Sequence, residues 1–151
     1  MDIDTLLERF GKDTGLGRLT LDDSGSYTFL VDEAKVSFMH IAEGGTLLLF
    51  ADVGELPGAG LAGMLLAALR ANFLFRGTAG ATLAVRPGSP VLFLNRSLKL
   101  DGLSYEEFVQ ALGDFTNTLS EWRRLLADYR PDASASEGDG SGQPPFGNLS
   151  I

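Results

Sequence analysis

The chain has 151 residues, 44% of them hydrophobic and 21% charged, enough for one domain with its own core. Its net charge of -8 and isoelectric point near 4.5 repel phosphate backbones and anionic bilayers, which argues against nucleic acid and membrane as partners. It has no cysteine, which removes disulfides, thiolate zinc sites and cysteine nucleophiles together.

The opening stretch MDIDTLLERF carries acids where a signal peptide needs basic residues, and no apolar h-region follows. No run reaches transmembrane length. We expect a soluble cytoplasmic protein with no membrane insertion, and read the glycosylation sequons at Asn95 and Asn148 as chance.

The first expected element is a short helix over residues 4–12, with Leu6, Leu7 and Phe10 on one face, acids near its start and Gly11 and Gly15 at its end. Strands follow. Leu19 and Leu21 alternate with polar residues, Asp23-Ser24-Gly25 signals a turn, and Tyr27, Phe29 and Val31 alternate next. Val36, Phe38 and His40 face one way in a third strand. Residues 46–53 are apolar on both faces, which predicts a central strand.

Residues 61–75 read LAGMLLAALRANFLF, with Arg70 and Asn72 as the only polar side chains. A surface helix keeps a wet face, and this one has almost none. It is too short to cross a bilayer, so we expect it to be buried on two sides, by the sheet and by a second copy. Residues 77–80 end it. Residues 82–85 and 91–95 form a hairpin around Pro87-Gly88-Ser89. Ser104 and Glu107 then make a capping box. Phe108, Leu112, Phe115, Leu119, Trp122, Leu126 and Tyr129 continue as one stripe until Pro131. Ser, Gly, Pro and acids dominate beyond that point, as in a flexible tail. The expected domains are therefore residues 1–130 and a tail of 131–151. The expected fold is α+β, with three helices on a mostly antiparallel sheet in the order α-ββββ-α-ββ-α.

Little points to catalysis. His40 is the only histidine, and no Ser or Asp motif points to it. Gly77-Thr78-Ala79-Gly80 lacks the lysine of a phosphate loop and follows a helix instead of preceding one. Asp22-Asp23 and Asp32-Glu33 lack the spacing of a calcium loop and read as solvated turns. No catalytic, cofactor or metal residue is expected. The apolar surplus remains, and it suggests partner-binding grooves.

Three segments resemble class I type III secretion chaperones, the CesT/Tir-chaperone family. One is L-L-x-x-F-G-x-x-x-G-L-x-x-L-x-L-D over residues 6–22. The second runs from Leu65-Leu66 through Ala71-Asn72-Phe73 to Gly80-Ala81-Thr82-Leu83. The third is the last helix, from Phe108 to Glu121-Trp122-Arg123. The resemblance implies a cytoplasmic homodimer that binds the N-terminal, non-globular segment of a secreted effector and keeps it secretion-competent, without cofactor or catalysis. It assigns dimer contact to the middle helix and its neighbouring strands, and effector grooves to the first helix and sheet surface. Our candidates are Leu61, Leu65, Leu66, Leu69 and Phe73 for the dimer interface. Leu6, Leu7, Phe10, Leu19, Leu21, Phe29 and Val31 are the candidates for effector binding. Two rival readings stay open: a small-molecule-binding or enzymatic α+β domain, and a dimeric regulatory adaptor unrelated to secretion.

Overall fold

Residues 1–31 and 33–131 are described by the computed structural model. Asp32 and the stretch 132–151, which holds nearly all of the expected tail, lie outside the described residues.

The chain runs α1 (Ile3–Thr14), β1 (Ser26–Val31), β2 (Ala34–Ile41), β3 (Thr46–Glu55), α2 (Leu61–Asn72), β4 (Thr82–Val85), β5 (Val91–Lys99) and α3 (Tyr105–Asp128), with a 3-10 turn at Phe73–Phe75 after α2. The strands form one antiparallel sheet in the order β1-β2-β3-β5-β4. β3 is central, as its two apolar faces predict.

α1 begins where the Asp2 carboxylate accepts from the Thr5 amide at 2.9 Å, and it stops at Gly15, whose φ is 72°. Its buried residues are Leu6, Leu7, Phe10 and Gly11. Gly11 is required by a close approach. A Cβ there would collide with the Gly17 carbonyl, and the Gly17 amide donates back to the Gly11 carbonyl at 3.1 Å. The chain thereby doubles back along α1.

That reversal corrects the expected strand at Leu19 and Leu21. Residues 16–22 form no strand; they are held against α1, so among the described residues the sheet has five strands and not six. Alternation arose because Leu19 turns into the core while its neighbours face water.

The core lies between the sheet's inner face and helices α1 and α3. Val36, Phe38, Leu47, Leu49 and Leu94 are fully buried on that face. Phe10 meets Phe29, Phe38 and Phe108 at ring-centroid distances of 5.6–5.7 Å. Each such ring contributes about 1.5–3 kcal/mol by burial alone, with a further increment from edge-on packing. α3 opens on the expected capping box: the Glu107 amide donates to Ser104 Oγ at 3.1 Å, and the Ser104 amide to Glu107 Oε2 at 2.8 Å. Phe108, Phe115, Leu119 and Trp122 of its stripe are buried.

α2 ends at Asn72, short of the expected Phe75. The Asn72 side chain donates to the Leu83 carbonyl at 2.9 Å and accepts from the Leu83 amide at 2.8 Å, fastening the helix end to β4. Past it, Leu74 and Phe75 both take left-handed φ values, 53° and 55°. Such backbone is costly for side chains of this size.

Candidate partner-binding surfaces

The first surface is α2 with the turn after it. Met64 and Ala68 are the residues it sinks into the domain. The opposite side is apolar and wet: Leu66 is 46% exposed, Leu69 66%, Phe73 64%, Leu74 67% and Phe75 52%. Of the five interface candidates, Leu61, Leu66, Leu69 and Phe73 are exposed and Leu65 is half-buried. Met64 and Ala68, which the domain buries, sit in the same featureless apolar run, which has no polar face to give the phase of the helix. Leu74 and Phe75 lie exposed beside the candidates.

The surface is also electrically distinctive. Residues 56–100 contain Arg70, Arg76, Arg86, Arg96 and Lys99 but no Asp or Glu. That span carries +5 in a chain of -8, which leaves -13 for the rest. Arg86 lies 4.3 Å over the Phe93 ring. Arg96 donates to the Ala111 carbonyl at 3.1 Å and sits 3.8 Å from Asp114. Lys99 donates to Thr46 Oγ1 at 2.9 Å. Arg70 and Arg76 are exposed, and among the described residues neither has an acidic partner.

The second surface lies between α1 and the returning segment 17–21. It is an open groove of about 930 Å³ lined by Leu7, Leu19 and Leu21, with Asp4, Glu8, Lys12 and Arg18 among its polar residues. The seven effector-binding candidates separate here. Leu7, Leu19 and Leu21 line the groove, the first two as nearly buried floor. Leu6, Phe10 and Phe29 are packed inside the domain, and Val31 is half-buried at the end of β1. Core and groove residues alike are apolar and gather on and around α1, so hydrophobicity alone does not separate them.

Arg9 fixes the groove's helix to α3. Its guanidinium stacks 3.9 Å from the Tyr105 ring and reaches Glu106 at 2.9 Å. Desolvation, chiefly, pushes the Tyr105 hydroxyl above its ordinary value, aided by Asp13.

The groove wall runs into β1 through the turn at 22–25. There Asp22 accepts from the Ser24 hydroxyl and from the Ser26 and Ser24 amides, which holds its carboxyl below the usual range. β1 is an edge strand. The His40 amide donates to the Gly25 carbonyl, and by the antiparallel alternation Thr28 and Leu30 turn their amides and carbonyls outward. The Leu30 side chain is exposed.

His40 stands in β2 opposite Leu47 with nothing catalytic built on it. Among the described residues no three metal-ligating side chains come together, and no helix is long and apolar enough to cross a membrane.

No curated protein sequence matches the chain. Solved structures do. The ExsC–ExsE complex matches with 28% identity and a TM-score of 0.69, over 88% of this chain and 99% of that one. The HopA1–SchA chaperone–effector complex follows with 21% identity and a TM-score of 0.66, over 80% of this chain and 91% of that one. The Yersinia pestis type III secretion chaperone SycH, in complex with a fragment of YscM2, has 21% identity and a TM-score of 0.63, over 79% and 98%. The latter two show a shared fold. Residues 5–123 match the Tir chaperone protein (CesT) family from α1 to the last turns of α3, and the chain belongs to that family.

Proposed function

We propose that two copies of this type III secretion chaperone pair through α2 and the turn after it, and together hold the N-terminal segment of a secreted effector in extended form. The observation that carries this is the uncovered apolar face of α2 in a chain of the CesT family. A C2 contact sets one patch against itself, so a single such face per copy suffices. A stable contact buries about 1,600 Å² in total.

The effector lies in the groove between α1 and residues 17–21, where two carboxylates and two cations suit a mixed-charge segment. From there its backbone adds to the open edge of β1 at Thr28 and Leu30. Binding and release take place in the cytoplasm, and the work is holding, with no catalytic step and no cofactor. The HopA1–SchA chaperone–effector complex, on the same fold, supports this reading.

The test is capture of N-terminal effector segments from the same genome by the parent chain and by Leu21→Asp/Leu30→Asp. Neither residue is buried in the core. The variant should keep its circular dichroism and its dimer while binding at least about tenfold more weakly. Equal capture would remove the groove. A parent chain that captures no segment but gains melting temperature from a metabolite would favour the small-molecule reading.

A further inference from the structure

We propose that the groove between α1 and residues 17–21 selects its occupant by charge position: an extended segment with one acidic and one basic residue about two to four places apart, astride an apolar one. The acid faces Lys12 and Arg18, and the base faces Glu8 and Asp4. The inference rests on the effector reading above, which gives this groove its occupant.

α1 carries two charged ridges side by side, and only one of them is satisfied. Arg9 and Asp13 stand one turn apart with 3.9 Å between them, and Arg9 also reaches Glu106 at 2.9 Å and stacks on Tyr105. The neighbouring ridge is Asp4, Glu8 and Lys12, again at intervals of four. Glu followed by Lys at that interval is the favoured order for an ion pair on a helix. Yet among the described residues Glu8 and Lys12 form none, and neither do Asp4 and Arg18. All four are exposed, and all four line the groove.

The four are sorted by sign along it. The Gly17 amide donates to the Gly11 carbonyl at 3.1 Å. Lys12 follows Gly11 and Arg18 follows Gly17, so the two cations flank one contact. Glu8 and Asp4 lie one and two turns back from Lys12, about 6 and 12 Å along the helix. The helix dipole favours an acid in the first turn and a base in the last, which accounts for Asp4 and Lys12. It does not account for Arg18, which belongs to no helix, or for Glu8 in the middle of one. Like charges flanking one contact repel, and an acid supplied from outside relieves them. Leu7, Leu19 and Leu21 supply the apolar lining of the same groove. Extended chain advances about 3.3–3.6 Å per residue, so it spans the two poles in about two to four residues. A segment of one sign would set a like charge against one pole.

The experiment uses fluorescein-labelled peptides of about fifteen residues, identical except at two positions four apart on either side of a central leucine. Those positions carry two acids, two bases, or one of each in either order. By fluorescence anisotropy at low salt, the full chain should bind the better mixed peptide about tenfold more tightly than either single-sign peptide. The gap should narrow at high salt. Lys12→Glu/Arg18→Glu changes two exposed positions; its circular dichroism should stay native and its preference should turn to the two-base peptide. Arg124→Glu/Arg130→Glu makes the same change in net charge at exposed positions, the first about 27 Å along α3 from Glu106. That variant should keep the parent's preference. Equal binding of all the peptides, lost in Leu21→Asp, overturns the charge reading and leaves the groove as the effector site. A preference that Arg124→Glu/Arg130→Glu also turns overturns it too, since net charge alone would then decide. Binding of no peptide, or binding that Leu21→Asp does not weaken, overturns the groove and this inference with it.

Discussion

α1 and α2 have the same length, twelve residues each, and opposite fates. α1 is amphipathic, and the domain covers the middle of its apolar stripe: Leu6, Leu7 and Phe10 are buried while Glu8, Arg9 and Lys12 face water. α2 is apolar nearly all round, and the domain covers only Met64 and Ala68. A helix whose polar side matches its solvent side is finished within its own chain. A helix with no polar side has been shaped for two burials. The same substitution should therefore act on folding in one and on association in the other.

The largest effect is expected in α1. Phe10→Ala removes the ring that touches Phe29, Phe38 and Phe108 and should cost about 3–5 kcal/mol in urea unfolding. A loss below about 1 kcal/mol would mean that the domain does not depend on this cluster. Next comes Leu69→Asp in α2. Its side chain is mostly exposed, so the circular dichroism should stay native while sedimentation shifts from dimer to monomer. An unchanged dimer would place the seam elsewhere.

The smallest effect sharpens the comparison at the helix ends. Carboxyls cap the helices that are finished internally: Asp2 on α1, held low by the Thr5 amide and hydroxyl, and Glu107 on α3, held low by the Ser104 amide and hydroxyl. α2 has Gly60 at that place and no side-chain cap. A lowered folded value means stability that is present above the ordinary values, 3.8 for Asp and 4.5 for Glu, and is lost as pH falls through the lowered ones. Melting temperature should be level from about pH 7 to about pH 5 and decline below about pH 4. Glu107→Gln keeps the cap's hydrogen bonding and should flatten part of that decline. An identical acid profile would show that this cap carries none of it.

Parts of this were legible in the sequence for local reasons. The capping box and stripe of α3, the extent of β4 and the central place of β3 follow from spacing alone. The pattern F-G-x-x-x-G-L was legible as a family signature, and its physics is now visible. Phe10 enters the core, Gly11 admits the returning chain and Gly15 takes the left-handed end of α1. What was hidden depends on distant partners. Leu19 and Leu21 alternate like a strand, yet Gly17 binds them to a helix. The end of α2 is set by Asn72 reaching β4, eleven residues away. The groove candidates are all apolar, and Phe10 and Phe29 are apolar because they belong to the interior. The groove itself is marked by leucines mixed with charge, a weaker signal than an unbroken run.

The clamp of Asn72 on Leu83 reaches beyond its own helix. β4 and β1 are the two borders of the sheet, and a border with free amides and carbonyls invites another strand. If both were free, the β1 border of one molecule could join the β4 border of the next, a head-to-tail contact that grows as a fibre wherever its rotation does not close into a ring. The carboxamide of Asn72 fills the outward-facing position at Leu83, in a strand of only four residues. Chain growth is thus stopped at the β4 side, and β1 is the side our proposal gives to a partner strand. A protein whose trade is handling unfolded polypeptide needs that asymmetry to avoid polymerising with itself.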